Sequence, residues 1–276
     1  HALKPKKALI PIPTFAEYEQ ALESVGAEVE HVLLKEEDEF RVQDSFIDWL
    51  HKDLDMVFLC NPNNPTGILT DREFLFRLLR VCREMGIFLV VDECFQDFIR
   101  EPGQYSLKAQ LPRYHNLFLL KAFTKRYAMA GVRLGYGITE NEELLEKMTQ
   151  ATQPWNISIP AQAAGIAALG EVEYVERARK LIFAESEYLS EELYKLGMTV
   201  FPSQANYLFF KGPEDLFEIC VGQNVLIRDC SNYPGLGKGF YRVAVRTHEE
   251  NERLIQAIHD GLMEARKKTQ EEEGEE

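Results

Sequence analysis

The sequence predicts an α/β fold, in which helices sandwich a mostly parallel sheet and a smaller C-terminal α+β domain follows. Short apolar runs rich in β-branched residues alternate with amphipathic stretches over the first half of the chain, as in repeated strand–helix–strand units. A charged amphipathic stretch at 171–196 then gives way to a second group of short strands. The expected domains are residues 1–168 and 169–268, followed by a disordered acidic tail at 269–276.

The individual elements follow from this alternation. The first domain is expected to contain strands at 8–12, 28–34, 56–60, 87–91 and 117–120, and helices at 14–25, 45–51 and 70–85. The pairs Thr14 with Glu17 and Thr70 with Glu73 have capping-box spacing, which predicts helix starts at both threonines. The second domain is expected to contain strands at 198–201, 207–211, 225–228 and 241–245, and helices at 214–221 and 249–268.

Composition limits the classes of function. The chain of 276 residues has 45% hydrophobic and 28% charged residues, which is typical of a soluble globular protein. Its net charge of −14 argues against a surface for nucleic acid or an anionic membrane, because both need basic patches. No apolar run reaches the roughly 18 residues of a membrane helix. The five cysteines form no C-x-x-C pair, which indicates reduced thiols in a cytoplasmic protein without a metal site.

Three polar motifs each follow a predicted strand. The turn 61–67 reads N-P-N-N-P-T-G, Asp92 ends the strand at 87–91, and Lys125 follows the strand at 117–120, with Arg133 eight residues further on. Each motif alone is compatible with a turn, a helix cap or a solvated charge. In open α/β sheets, however, ligands bind at the carboxyl ends of strands. The three motifs together therefore predict one site.

In order and spacing, these motifs resemble those of the fold-type I pyridoxal-phosphate enzymes, over nearly the whole chain. The branch that is most similar contains histidinol-phosphate aminotransferase and threonine-phosphate decarboxylase. The resemblance implies pyridoxal 5'-phosphate as cofactor, a small phosphorylated amino-acid substrate and a homodimer. It also implies that Lys125 binds the cofactor covalently and that Asp92 pairs with the ring nitrogen.

Further roles are implied by position. Asn64 would hydrogen-bond the ring oxygen, Phe15 would stack on the ring, and Thr124 and Arg133 would bind the cofactor phosphate. Arg242 would bind the substrate carboxylate, Arg228 would meet the substrate phosphate, and Asn156 would contact the substrate. Arginine suits both anions, because its planar guanidinium donates two parallel hydrogen bonds.

Three features favour decarboxylation of L-threonine O-3-phosphate to (R)-1-aminopropan-2-yl phosphate, a step of cobalamin biosynthesis. Phe95 stands where aminotransferases of this branch usually carry a tyrosine, and the segment 154–158 and the paired runs 228–233 and 241–247 are more similar to the decarboxylase. An aminotransferase of the histidinol-phosphate type stays open, because the sequence does not show how the substrate is oriented. A non-catalytic domain of a transcription regulator is the alternative from another class, although Lys125, Asp92 and Arg242 argue against it.

Two departures from the resemblance affect the cofactor phosphate. Ala122 stands where relatives often have a serine or threonine. The glycine-containing loop and helix N-terminus that would cradle the phosphate are expected upstream of His1, which suggests that an N-terminal part is missing.

Overall fold

Two β-sheets organise the chain in the computed structural model, which describes residues 1–274. The first sheet has six strands in the order β2-β1-β3-β4-β5-β6. Its strands are β1 (Lys7–Ile12), β2 (Glu28–Leu33), β3 (Met56–Cys60), β4 (Phe88–Asp92), β5 (Leu117–Ala122) and β6 (Gly135–Ile138). All neighbours are parallel except β5 and β6, which run antiparallel. The prediction of a mostly parallel sheet flanked by helices is confirmed.

Six helices accompany the first sheet: α1 (Glu17–Glu23), α2 (Arg72–Met85), α3 (Pro102–Tyr105), α4 (Phe123–Arg126), α5 (Glu142–Ala151) and α6 (Ile159–Leu169). The alternation of side chains along each strand gives the sheet two apolar faces. Leu75 and Leu79 of α2 pack on one face, and Leu22 of α1 with Leu144 of α5 packs on the other. Helices thus cover both faces of the sheet, and the polar motifs stand where its strands end.

The second sheet is antiparallel, in the order β7-β8-β10-β9. Its strands are β7 (Thr199–Val200), β8 (Tyr207–Lys211), β9 (Arg228–Asp229) and β10 (Phe240–Ala244). Three helices complete this part: α7 (Val172–Lys195), α8 (Leu216–Gly222) and α9 (His248–Gly274). Their apolar residues, among them Leu189, Leu193, Leu216 and Ile258, form a core with β8 and β10. The domain boundary near residue 168 stays a prediction.

Both expected capping boxes are wrong. α1 begins after Ala16 without a side-chain cap, and the hydroxyl of Thr14 instead donates to Oδ1 of Asn63 at 2.8 Å. Asp71, one residue beyond the expected Thr70, caps α2 by accepting from the backbone N–H groups of Glu73 and Phe74. The physical reason is burial, because Thr14 and Thr70 are both about 95% buried and belong to the packing of the turn at 61–67.

Two other expectations differ from the structure. The stretch expected as a helix at 45–51 is a 3₁₀ helix, Asp44–Trp49. The disorder expected at 269–276 disagrees with α9, which continues to Gly274, because glutamate, lysine and glutamine are good helix formers and extend the preceding turns. Residues 275 and 276 lie outside the described residues. Among residues 1–274, no helix has the length and apolar character needed to cross a membrane.

Candidate active site

The carboxyl ends of β3, β4 and β5 are aligned. In the parallel register, Cys60 pairs with Asp92, and Asp92 pairs with Leu120. The turn at 61–67, Asp92 and the segment that leads to Lys125 are therefore neighbours at one edge of the first sheet. The sheet register brings together the three motifs that the sequence places at strand ends.

A cleft of about 800 Å³ opens at this edge, between the first sheet and the second. Five of the predicted site residues line it: Phe15, Asn64, Lys125, Arg228 and Arg242. Phe15 and Asn64 come from loops of the first sheet, Lys125 comes from α4 after β5, and the two arginines come from β9 and β10. An amine, an amide, an exposed aromatic ring and two guanidinium groups thus face the same space.

Lys125 is the lysine whose amine is available in this cleft. It lies in the short helix α4, and its Nζ is 5.4 Å from the ring centroid of Phe95. Within residues 1–274, the structure pairs it with no carboxylate. Lys121, four residues earlier, forms a salt bridge of 2.9 Å with Glu93, whose side chain is 1% exposed. The two lysines therefore differ in role: Lys121 is held in an ion pair, and Lys125 faces the cleft.

Asp92 lies at the end of β4, and both of its carboxylate oxygens accept hydrogen bonds. Tyr18 donates to Oδ2 at 2.6 Å, and the backbone N–H of Cys94 donates to Oδ1 at 2.8 Å. Burial raises the pKa of Tyr18 well above its ordinary value, and the nearby Cys60 and Asp92 raise it further. The phenol therefore stays protonated and remains a donor to the carboxylate.

The Asn-rich turn is bound to the second sheet. Oδ1 of Asn64 accepts a hydrogen bond from Nη1 of Arg242, and the phenol of Tyr233 lies 3.5 Å from the same oxygen. The backbone oxygen of Asn63 accepts from the phenol of Tyr207 at 2.6 Å. Asn64 and Arg242, 178 residues apart, thus form one polar unit that spans the cleft.

Arg228 lies further along the same wall. Its Nη2 donates to Oδ1 of Asn232 at 2.9 Å, and its guanidinium carbon is 5.5 Å from the ring centroid of Tyr233. Nearby, Arg246 and Glu250 form a salt bridge of 2.6 Å. The hydrogen bond from Arg246 is the main cause that lowers the pKa of Glu250 to about 2. Because this bridge neutralises Arg246, the cleft-lining arginines without a carboxylate partner among residues 1–274 are Arg228, Arg242 and Arg253.

Four predicted residues are not among those that line the cleft. Asp92 lies behind its wall, next to Tyr18. Thr124 and Arg133 lie in the segment that connects the paired residues Ala122 and Gly135, and Nη1 of Arg133 donates to the backbone oxygen of Ala130 at 3.1 Å.

Asn156 is the fourth of these residues, and it is exposed in the segment before α6. The structure therefore does not bring Asn156 to the cleft of its own chain.

Two functional candidates were missed from sequence. Tyr18 contacts Asp92 over 74 residues, and Tyr207 contacts Asn63 over 144 residues. Each looks in the sequence like an ordinary apolar position of a helix or a strand. The one available signal is the hydroxyl itself, because a phenol buried to about 95% needs a hydrogen-bond partner.

The fold and the cleft together define a class of protein. The parallel sheet, the free lysine and the carboxylate at successive strand ends are the arrangement expected of a pyridoxal-phosphate enzyme. The chain belongs to the family aminotransferase class I and II, whose model matches residues 2–258. This is a family of pyridoxal-phosphate-dependent enzymes, so the predicted family and cofactor are confirmed.

Individual relatives belong to two reaction types. The chain is 36% identical over 264 residues to threonine-phosphate decarboxylase of Salmonella typhimurium, covering 94% of this chain and 72% of the relative. It is 38% identical over 260 residues to histidinol-phosphate aminotransferase of Desulfitobacterium hafniense, covering 91% and 69%. Among solved structures, histidinol-phosphate aminotransferase of Clostridium acetobutylicum superposes with a TM-score of 0.88 at 32% identity, covering 93% and 78%.

The residues present fit the cofactor of this family. A cofactor aldehyde needs an amine without an ion-pair partner, and Lys125 supplies one, whereas Lys121 does not. A pyridinium nitrogen needs an oriented carboxylate, and Asp92 is held by two donors. The exposed ring of Phe15 packs edge-on against Tyr18, with 5.6 Å between ring centroids, and so offers a face to the cleft. The donor set is therefore suitable for pyridoxal phosphate.

Proposed function

We propose that the protein decarboxylates L-threonine O-3-phosphate to (R)-1-aminopropan-2-yl phosphate with pyridoxal phosphate. The observation that carries this proposal is Phe95, a buried ring without a hydroxyl beside Lys125. Aminotransferases similar to this chain usually have a tyrosine there, which hydrogen-bonds the ring oxygen of the cofactor. The 36% identity to a threonine-phosphate decarboxylase supports the same reading.

The cofactor would be held by residues from three strand ends. Lys125 would bind it covalently through Nζ, Asp92 would accept a hydrogen bond from the ring nitrogen, and Asn64 would donate from its amide to the ring oxygen. Thr124 and Arg133 would bind the phosphate. When bound, pyridoxal phosphate supplies an electron sink for the negative charge that develops at the substrate Cα.

The substrate would be oriented by the two arginines. Arg242 suits the carboxylate, because its guanidinium already donates to Asn64 and has further N–H groups directed at the cleft. Arg228 suits the phosphate, and the two positive charges lie in a protein of net charge −14. The bond that breaks at Cα is the one held perpendicular to the cofactor ring. The orientation in which these arginines bind the substrate therefore determines whether carbon dioxide or a proton leaves Cα.

Amino transfer of the histidinol-phosphate type is the second candidate. It is favoured by the 38% identity to one such aminotransferase and by the TM-score of 0.88 to another. Both reactions use the same lysine, carboxylate and arginines. They differ in which bond at Cα is held perpendicular to the cofactor ring. In amino transfer, Nζ of Lys125 must also move the proton that leaves Cα.

The decisive experiment measures products. The full protein is incubated with pyridoxal phosphate and L-threonine O-phosphate, and carbon dioxide and aminopropanol phosphate are quantified. We expect both in equal amounts. Amino transfer from glutamate to imidazole-acetol phosphate, without release of carbon dioxide, would favour the aminotransferase. Neither reaction, in a sample that has bound cofactor, would favour the non-catalytic regulator.

We also propose a homodimer, supported by an exposed apolar strip along α6 and its flanks. Trp155, Ile159, Ile166, Leu169 and Val172 are between 64% and 95% exposed. Exposed apolar patches of this kind mark protein interfaces. In such a dimer Asn156, next to Trp155, would lie at the interface.

Light scattering with size-exclusion chromatography tests this assembly. We expect a dimer that Ile166→Glu combined with Leu169→Glu converts to a monomer. Tyr194→Glu, at an equally exposed position outside the strip, is the matched control and should leave the dimer intact. A monomeric wild-type protein would contradict the proposal.

A further inference from the structure

Tyr207, the first residue of β8, contacts Asn63, Arg242 and Phe95 at the cleft. It is 4% exposed and its ring forms part of the cleft wall. Neither its hydroxyl nor its ring belongs to the set of residues that bind the cofactor. Its position is nevertheless central, as three separate contacts show.

The first contact is the hydrogen bond from the phenol to the backbone oxygen of Asn63, at 2.6 Å. Asn63 is the residue before Asn64, so this bond fixes the peptide that positions the Asn64 amide. Burial is the main cause that raises the pKa of Tyr207 well above its ordinary value. The phenol is therefore a permanent donor to this turn.

The second contact is with Arg242. In the antiparallel register of β8 and β10, Tyr207 pairs with Ala244 and Phe209 pairs with Arg242, so Tyr207 and Arg242 are diagonal neighbours on one face. The guanidinium carbon of Arg242 lies 5.0 Å from the centroid of the Tyr207 ring. This is cation–π distance, and it restricts the orientation of the guanidinium plane.

The third contact is with Phe95. The rings of Tyr207 and Phe95 meet edge to face, with 5.1 Å between centroids and an interplanar angle of 88°. Phe95 in turn faces Nζ of Lys125 at 5.4 Å. One side chain thus links the turn at Asn64, the guanidinium of Arg242 and the ring beside the reactive amine.

We propose that Tyr207 is a positioning residue that sets the orientation of Arg242 and Asn64, and thereby the direction in which the substrate carboxylate is held relative to Lys125. This inference rests on the proposed function, since it assigns the carboxylate to Arg242. Tyr207 acts through Arg242 and does not itself touch the reacting atoms. In the cofactor-free chain, its effect on ligand affinity is therefore expected only for ligands that carry a carboxylate.

Two ligands separate this role from a general structural one. L-Threonine O-phosphate has the carboxylate, and (R)-1-aminopropan-2-yl phosphate has the same amine and phosphate without it. Binding of each to the cofactor-free chain is measured by calorimetry, and kcat and KM are measured on the loaded enzyme. Tyr207→Phe removes only the hydroxyl, whereas Tyr207→Leu also removes the ring beneath Arg242.

We expect Tyr207→Phe to weaken binding of the threonine phosphate roughly 2- to 10-fold, the usual net value of one hydrogen bond. Tyr207→Leu should weaken it by more than ~10-fold, because the cation–π contact is lost as well. Affinity for the aminopropanol phosphate should stay within about twofold of wild type. On the loaded enzyme, KM should rise more than kcat falls.

Tyr241→Phe is the matched control. Tyr241 is also a buried phenol of the second sheet, and it donates to the backbone oxygens of Pro213 and Glu214 at 2.7 and 2.9 Å, away from the cleft. This variant should leave the affinity ratio of the two ligands unchanged. Equal weakening of both ligands by the Tyr207 variants, or no weakening of either, would overturn the inference. If the wild-type chain itself does not distinguish the ligands, the proposed function fails, and the inference fails with it.

Discussion

Tyr18 and Asp92 form a partly buried hydrogen bond of 2.6 Å that joins the start of α1 to the end of β4. Tyr18 is 5% exposed, and its ring stacks on Phe58 of β3 with 4.6 Å between centroids. The phenol therefore has little freedom to move away from the carboxylate. With the backbone N–H of Cys94 on the other oxygen, it fixes the plane of the carboxylate that is proposed to face the cofactor ring.

Tyr18→Phe should lower the affinity of the protein for pyridoxal phosphate without unfolding it. The ring and its stacking on Phe58 remain, while Oδ2 of Asp92 loses its donor. Loss of one such bond corresponds to roughly 1 kcal/mol, or about a fivefold rise in the Kd for pyridoxal phosphate. An absorbance titration of the cofactor-free protein measures this Kd. Tyr241→Phe serves as control, and an unchanged Kd in Tyr18→Phe would contradict the prediction.

Removing the amine of Lys121 and removing that of Lys125 should have opposite effects on stability and on covalent labelling. Lys125→Met should abolish covalent labelling by pyridoxal phosphate and borohydride, as detected by peptide mass analysis, with little change in stability because the amine has no carboxylate partner among residues 1–274. Lys121→Met leaves the buried Glu93 without its cation. The Lys121→Met substitution should lower the free energy of unfolding by roughly 3–5 kcal/mol. The variant should still be labelled on Lys125. A label on Lys121 in the wild-type protein would contradict the assignment.

The positions of the first five strands along the chain could be predicted from the sequence, because each is a short apolar run that ends at a turn or a charged residue. β6 could not, since it contains Gly135 and Gly137 and most of it is exposed. The structure explains Gly137: a Cβ there would lie 2.1 Å from the ring of Phe118. Glycine weakens a strand signal, so an edge strand that needs close packing escapes detection.

The site shows the same division. Lys125, Asp92 and Asn64 could be proposed as site residues because each stands at the end of an apolar strand or within four residues of it, a pattern that is local in sequence. Tyr18 and Tyr207 could not, because their roles depend on contacts 74 and 144 residues away. Local patterns in the sequence point to candidates for ligand contact, whereas the groups that hydrogen-bond those candidates become visible only in the folded chain.

The corrected helix start at Asp71 gives a stability prediction. Asp71→Ala should cost about 1 kcal/mol of unfolding free energy, because the backbone N–H groups of Glu73 and Phe74 lose their acceptor. Asp71→Asn keeps a side-chain oxygen at the cap and should restore most of this loss. Urea unfolding followed by circular dichroism measures both. If Asp71→Ala were as stable as the wild type, Asp71 would not be the N-cap of α2, and Thr70 would again be the candidate.

The buried phenols of Tyr18 and Tyr207 predict a loss of stability at alkaline pH. Burial raises the pKa of both groups in the folded protein, whereas in the unfolded chain a phenol titrates near pH 10. Because the folded pKa is the higher one, their contribution is fully present below about pH 10 and is lost as the pH rises beyond it. Each phenol should then lower the free energy of unfolding by about 1.4 kcal/mol per pH unit. Urea unfolding at pH 9.5, 10.5 and 11.5 tests this. The free energy of unfolding of the double variant Tyr18→Phe/Tyr207→Phe should fall less steeply with pH than that of the wild type. Tyr194→Phe, at an exposed position, should have the same pH dependence as the wild type. Parallel pH profiles for wild type and the double variant would rule out these two phenols as the cause.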